Sequence, residues 1–173
     1  RYEFMEGRAV QMAKHTEVKT NVMRILEQAK VNYTPHEYPH GKEAVDGVTV
    51  AGLLGQDVNT VFKTLVARGK GGAIHVFVIP VAAELDLKKA ARAVGEKAVE
   101  MVHVKELLGL TGYVRGGCSP VGMKKAFPTV FDESVNNVPT VMVSAGKIGF
   151  QIECAPADLI KLTRAATAHI TTD

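Results

Sequence analysis

The stretch Gly112-Tyr113-Val114-Arg115-Gly116-Gly117-Cys118-Ser119-Pro120-Val121-Gly122-Met123-Lys124-Lys125 puts four glycines, a proline and three cations into one segment that no regular element could absorb. Gly116, Gly117 and Gly122 lack the Cβ that bars close ligand approach, and Pro120 fixes its own φ. Successive backbone N–H groups can therefore be aimed at an oxygen-rich ligand. The same residues also suit a tight connection between strands. A ligand loop needs a cationic or catalytic partner, and Lys63, within Val61-Phe62-Lys63-Thr64-Leu65-Val66, is the first candidate.

In a strand Lys63 projects with Val61, Leu65 and Ala67, while Phe62, Thr64 and Val66 point to the other side. An ammonium among apolar neighbours is costly to bury. It either snorkels to the sheet edge or stands at a pocket mouth, donating to phosphate, carbonyl or ribose oxygens. Cys118 and Ser119 are nucleophile types, but no histidine accompanies them in a recognisable motif. His36 and His40 are four apart, yet Pro35 and Pro39 exclude the helix that would set both on one metal-binding face, so no metal site is expected.

These residues must be positioned by one domain, because 173 residues, 46% of them hydrophobic, can bury one substantial core and are few for two. The formal charge of +3 and pI near 8.9 permit an RNA partner without requiring one. Cys118 and Cys154 stand in unlike contexts without metal-ligand spacing, so neither a disulfide framework nor a zinc site is expected and a reducing, cytoplasmic setting fits. The longest apolar run, Ile74 to Ala83, is broken by His75 and Pro80 and falls well short of a membrane span. Residues 1–11 join no periodic element, and Met12 would make a natural start. Residues 1–15 are read as a loose or vector-derived arm, 16–165 as the domain, and 166–173 as a tail.

Thr20 can cap a helix to about Lys30 with Val22, Ile25, Leu26 and Ala29 on one face. Asn32 to Tyr38 alternates between two prolines as an edge strand would. A short helix at Thr49 to Leu54 and a turn at Gln56 to Asn59 lead into a strand from Thr60 to Arg68. Gly69 to Gly72 joins that strand to Ala73 through Pro80 as a hairpin. Asp86 caps a helix through Val94 with Gly95 as its stop. Then come a strand at Val99 to Val102, a helix at Lys105 to Leu110, and a strand at Thr129 to Asp132. A pair of strands at Thr140 to Ser144 and Gly149 to Cys154 turns at Ala145 to Lys147, and Pro156 opens a last helix. The fold class is α/β of the α+β kind: a mixed, largely antiparallel curled sheet or barrel with peripheral helices.

Taken in order, Val61 to Val66, Glu84 to Lys89, Val99 to Lys105, Gly112 to Lys125 and Val143 to Glu153 resemble the YbaK-type Cys-tRNA(Pro) deacylases. These belong to the superfamily of the editing domain inserted in bacterial prolyl-tRNA synthetases, and the resemblance runs from about Thr20 to Thr163. It implies that fold, and a trans-editing enzyme that hydrolyses mischarged Cys-tRNA(Pro). Lys63 matches the lysine on which deacylation depends in the family, and Thr64 beside it is a substrate-binding candidate. Gly116 to Pro120 match the family's Gly-x-x-x-Pro element, which makes Gly116, Gly117, Cys118, Ser119 and Pro120 part of the aminoacyl pocket. Tyr38, otherwise a plain sheet aromatic, matches a pocket tyrosine. Ser144 and Gly146, which alone would read as a hairpin turn, become a further wall. Asp46 and Gly47 fall in a variable lid region with no firm match.

The mechanism so implied is substrate-assisted: the thiol of the bound cysteine attacks its own ester, so neither a catalytic triad nor a cofactor is called for. The implied partners are the acceptor end of a mischarged tRNA and prolyl-tRNA synthetase, with no DNA and no membrane. Arg115, Lys124, Lys125 and Lys147, with Arg68 and Lys70 nearby, are candidate phosphate contacts. Three other readings stand beside this one. They are the same fold acting on Ala-tRNA(Pro) or another small mischarged amino acid, a tRNA-binding module without catalysis, and a thiol hydrolase using Cys118.

Overall fold

The computed structural model describes residues 18–173, so the arm expected at residues 1–15 lies outside the described part. Helix α1 (Asn21–Gln28) begins where Thr20 Oγ1 accepts the Met23 N–H, and it buries Val22, Met23 and Leu26. Strand β1 (Tyr33–Glu37) follows. Helix α2 (Gly47–Leu53) starts two residues before the expected Thr49 because Asp46 caps it, accepting from Thr49 N at 3.0 Å and Thr49 Oγ1 at 2.7 Å. A 3-10 turn at Val58–Thr60 leads into β2 (Phe62–Gly69), which pairs antiparallel with β3 (Ile74–Pro80).

Asp86 caps α3 (Leu87–Ala93) by accepting from Lys88 N and Lys89 N, each at 3.0 Å. After β4 (Val99–Met101), α4 (Val104–Thr111) ends in the left-handed residue Gly112, whose φ of 87° suits glycine. The glycine loop then reaches β5 (Thr129–Asp132), a 3-10 segment at Glu133–Asn137, and the antiparallel pair β6 (Val141–Ser144) and β7 (Phe150–Cys154). Helix α5 (Pro156–Thr163) and strand β8 (Ala166–Ala168) complete the chain.

The strands form two sheets, ordered β1-β7-β6 and β4-β2-β3-β5-β8. The first is antiparallel throughout; in the second, β3–β5 and β5–β8 run parallel. Pro35 sits in the edge strand β1, where a missing N–H is tolerated. A parallel bridge between Val61 and Met142 ties the start of β2 to β6, so the two sheets meet there.

One face of the large sheet, carrying Phe62, Val66, Val76, Val78 and Phe131, packs on Val141, Val143, Phe150 and Ile152 of the small sheet and on Leu26 of α1. The opposite face, with Ala67, Phe77, Ile79 and Val130, is covered by Ala90 and Ala91 of α3. By alternation Thr64 belongs to the inner face and Lys63 to the α3 side.

The structure corrects the reading of residues 166–173 as a tail. Strand β8 pairs with β5, Ile170 is fully buried, its N–H donates to Asp132 Oδ1 at 3.1 Å, and its carbonyl accepts from Asp86 N at 2.8 Å. Ala-Thr-Ala is too short for its alternation to announce a strand, alanine is a weak strand former, and its pairing partner lies far back in the sequence. The 3-10 segment after β5 was likewise silent in the sequence; Asp132 Oδ2 starts it by accepting from Ser134 N and Oγ.

Candidate active site

Where the sheets meet, the start of β2 brings Val61, Phe62, Lys63 and Thr64 to a cavity of about 100 Å³. Ser144 at the end of β6, Gln151 in β7 and Tyr38 just past β1 close it from the small sheet. Val45, Gly47 and Val50 around the start of α2 cover another side, and Gly116 and Cys118 of the glycine loop a third. Lys63 and Thr64 leave β2 on opposite faces, yet both border the cavity. Outside it, a wider groove of about 610 Å³ shares Lys63, Thr64, Gly116, Val45 and Gly47 with the cavity and adds Arg115, Ala44 and Asp46.

Of the residues expected in the site, Lys63, Tyr38, Thr64, Gly116, Cys118 and Ser144 come together around this one cavity. Gly117, Ser119, Pro120 and Gly146 are not among its walls and stand behind them. A Cβ on Gly117 would lie 3.1 Å from Ile148 N, so the glycine loop is pressed against the β6–β7 turn. The Ser119 side chain is fully buried and its Oγ accepts from Val121 N at 3.3 Å, which orders the loop from within. Gly146, at φ 93°, packs against Tyr113 and Val22 and donates its N–H to Ser144 Oγ at 3.1 Å. The Gly117 N–H is committed to Val114 O at 2.9 Å, and the loop residues that border the cavity are Gly116 and Cys118.

Among the described residues Lys63 makes no ion pair. Among the described residues no acidic side chain lines the cavity. An ammonium with no carboxylate partner at the edge of a closed pocket is available to a ligand's oxygens. The wider cationic cluster is thinner than expected. Arg68 is held by Glu106 at 2.7 Å, and that pairing lowers the Glu106 carboxyl. Lys147 lies 5.7 Å from the Phe150 ring, and of the expected phosphate contacts Arg115 borders the groove, beside Lys63. His36 is engaged with Glu153 Oε1 at 2.8 Å.

Burial pushes the Cys118 thiol up to about 12. A nucleophilic cysteine needs its thiolate, and a thiol so shifted is almost wholly protonated at neutral pH. Its place in the wall is therefore that of a small apolar surface. Cys118→Ser is expected to retain deacylation within about threefold, since it changes one wall atom and no charge. Loss of turnover by a folded Cys118→Ser protein would restore the thiol-hydrolase reading.

Among the described residues Gln151 is the polar cavity residue that the sequence did not disclose. It sits in the cross-strand row His36, Gln151, Ser144 and is buried, whereas a polar residue between Phe150 and Ile152 would ordinarily face water.

A two-sheet α+β domain with a small cavity at the sheet junction, a lysine at its rim and a wide groove outside defines a protein that seats a small group carried on a larger molecule. Residues 42–162 match the model of the aminoacyl-tRNA editing domain, and the chain belongs to that family. A protein of Enterococcus faecalis that bears the name Cys-tRNA(Pro)/Cys-tRNA(Cys) deacylase EbsC is 48% identical over 159 residues, 92% of this chain and 97% of that one. Among solved structures, one described as a trans-editing enzyme for prolyl tRNA synthetase is 26% identical with a TM-score of 0.76, covering 90% of this chain and 100% of the other. A hypothetical protein, 23% identical, shares the fold with a TM-score of 0.78 over 87% of this chain and 99% of its own. No described helix is long and apolar enough to cross a membrane.

Proposed function

We propose that this chain is a trans-editing deacylase that removes cysteine from mischarged tRNA(Pro), with Lys63 as its catalytic residue. The observation that carries the reading is the 48% identity to EbsC, sustained over nearly the full length of both chains. The site agrees with it in size and in charge. A cavity of about 100 Å³ suits a small aminoacyl group, and the groove of about 610 Å³ beyond Lys63 and Arg115 suits the ribose and phosphates that follow.

In this reading the enzyme folds the substrate rather than attacking it. The cysteine sulfur attacks the ester carbonyl, a C–S bond forms as the C–O bond to the terminal ribose breaks, and the thiol proton ends on the ribose oxygen. The resulting thiolactone then takes up water to give free cysteine. A free thiol ionises near 8.5, so a thiolate is accessible at neutral pH once geometry is imposed. Lys63 holds the aminoacyl or terminal ribose oxygens, and the Gly116 and Cys118 N–H groups face the carbonyl oxygen as charge builds on it. Prolyl-tRNA synthetase is the partner that this reading brings in, and the cytoplasm, where tRNA is charged, is its setting.

Binding alone separates small amino acids weakly, which is why a second, hydrolytic sieve is chemically useful. Single-turnover deacylation of Cys-tRNA(Pro) and Ala-tRNA(Pro) tests the proposal. Cysteine is expected to be lost at least about tenfold faster than alanine. Equal rates would remove the substrate thiol from the mechanism, and stable ester in both would overturn the enzyme reading.

A further inference from the structure

Among the described residues, two buried polar atoms on cavity-lining residues have no hydrogen-bond partner, Thr64 Oγ1 and Gln151 Oε1. They come from different sheets, Thr64 from β2 and Gln151 from β7, and converge only because the sheets meet at the Val61–Met142 bridge. A buried acceptor left unpaired destabilises the fold it sits in, and most such groups in folded proteins find a partner. Two around one small cavity point to a ligand that brings its own donors. The amide oxygen of Gln151 can only accept, and the Thr64 hydroxyl can accept as well as donate.

The aminoacyl group itself has one donor apart from its side chain, the α-amine, while the free ribose hydroxyl beside the ester belongs to the larger part of the substrate. The carbonyl and ester oxygens accept, and they suit Lys63 and the loop N–H groups instead. We propose that Gln151, with Thr64, is the seat for the free α-amine of the aminoacyl group, so that the site selects substrates bearing an unmodified amine. The inference rests on the deacylase reading for its substrate and on the two unpaired acceptors for its geometry. Neutral acceptors fit this task beside Lys63. A carboxylate in so small a cavity would pair with that lysine and withdraw it from the ester. The row His36, Gln151, Ser144 fixes Gln151 from both sides of β7, and the Ser144 hydroxyl is already engaged by the Gly146 N–H.

Gln151→Leu removes the seat while keeping a side chain of similar size. Because it also removes an unsatisfied buried group, it is expected to hold or raise the melting temperature, so lost activity would not come from unfolding. The test compares Cys-tRNA(Pro) with its des-amino analogue, 3-mercaptopropionyl-tRNA(Pro), which keeps the thiol and the ester. The wild-type protein is expected to favour the cysteinyl substrate in kcat/KM by about tenfold to a hundredfold, the range for a hydrogen bond to a charged group. Gln151→Leu is expected to erase that ratio by slowing the cysteinyl substrate alone, and Gln151→Asn to restore part of it. A ratio unchanged in Gln151→Leu would overturn the assignment. Amide NMR with cysteine methyl ester and with methyl 3-mercaptopropionate separates this inference from the deacylase reading. A Gln151 side-chain shift with the first ester and not the second supports the seat even if no tRNA is deacylated. Equal shifts with both esters would remove it.

Discussion

Replacing Lys63 by alanine is expected to leave a folded protein that deacylates Cys-tRNA(Pro) at least about a hundredfold more slowly, in line with the loss of one preorganised donor at a reacting oxygen. The fold is expected to survive, because Lys63 forms no ion pair among the described residues and stands at the rim of the cavity rather than in any of the three core clusters. Its stem is partly buried, so alanine trims some packing, but its charge is the feature that the cavity lacks elsewhere. Arg115, the other cation that lines the groove, borders the outer space and not the inner cavity.

The kinetic form of the loss carries the information. If Lys63 acts where charge develops, kcat falls and KM changes little; if it only holds the tRNA end, KM rises and kcat is spared. Single-turnover rates at saturating protein, with circular dichroism as the check on folding, separate the two. Wild-type turnover by a folded Lys63→Ala protein would remove the lysine from the mechanism.

Lys63 was singled out through the family resemblance, since an ammonium among apolar strand neighbours reads by itself as readily as a lysine snorkelling to the sheet edge, whereas the glycine loop stood out because its composition defies regular structure. Gln151 was not, for a physical reason. Alternation tells which side of a strand a residue occupies, but not whether that side is covered, and β7 is central in a small sheet whose second face closes the cavity. Arg68 shows the converse. Its charge looked free for phosphate, and only the fold reveals Glu106 of α4 beside it. Ser119 and Pro120 were read as pocket residues from their motif, whereas the buried Ser119 side chain holds the loop's own shape and Gly116 and Cys118 of the same motif form the wall. Strand β8 escaped because its three residues owe their conformation to β5, and the buried Ile170 that follows owes its place to Asp132.

Gly116→Ala is expected to cut kcat/KM for Cys-tRNA(Pro) by about a hundredfold, the scale on which small misplacements of a reacting group act. Gly116 has φ of 87°, in the left-handed region, where a Cβ is strained by roughly 1–2 kcal/mol. The added methyl would also sit 2.7 Å from Ala44 Cβ and 2.9 Å from Ala44 Cα, and that second atom is backbone. One of the two segments must move. The segment after Ala44 holds Val45 and Gly47, both walls of the cavity, and Asp46, the cap of α2. The loop on the other side holds Cys118, also a wall. Either displacement therefore opens the cavity or misaims the N–H groups proposed to face the ester. Gly52→Ala is the matched control, since Gly52 lies within α2, has nothing within 4 Å of its added Cβ, and is expected to gain stability from the better helix former. A Gly116→Ala protein with unchanged kcat/KM would show that the loop does not shape the reacting geometry. A loss confined to Gly116→Ala, with Gly52→Ala at wild-type activity, would tie the glycine to the site itself.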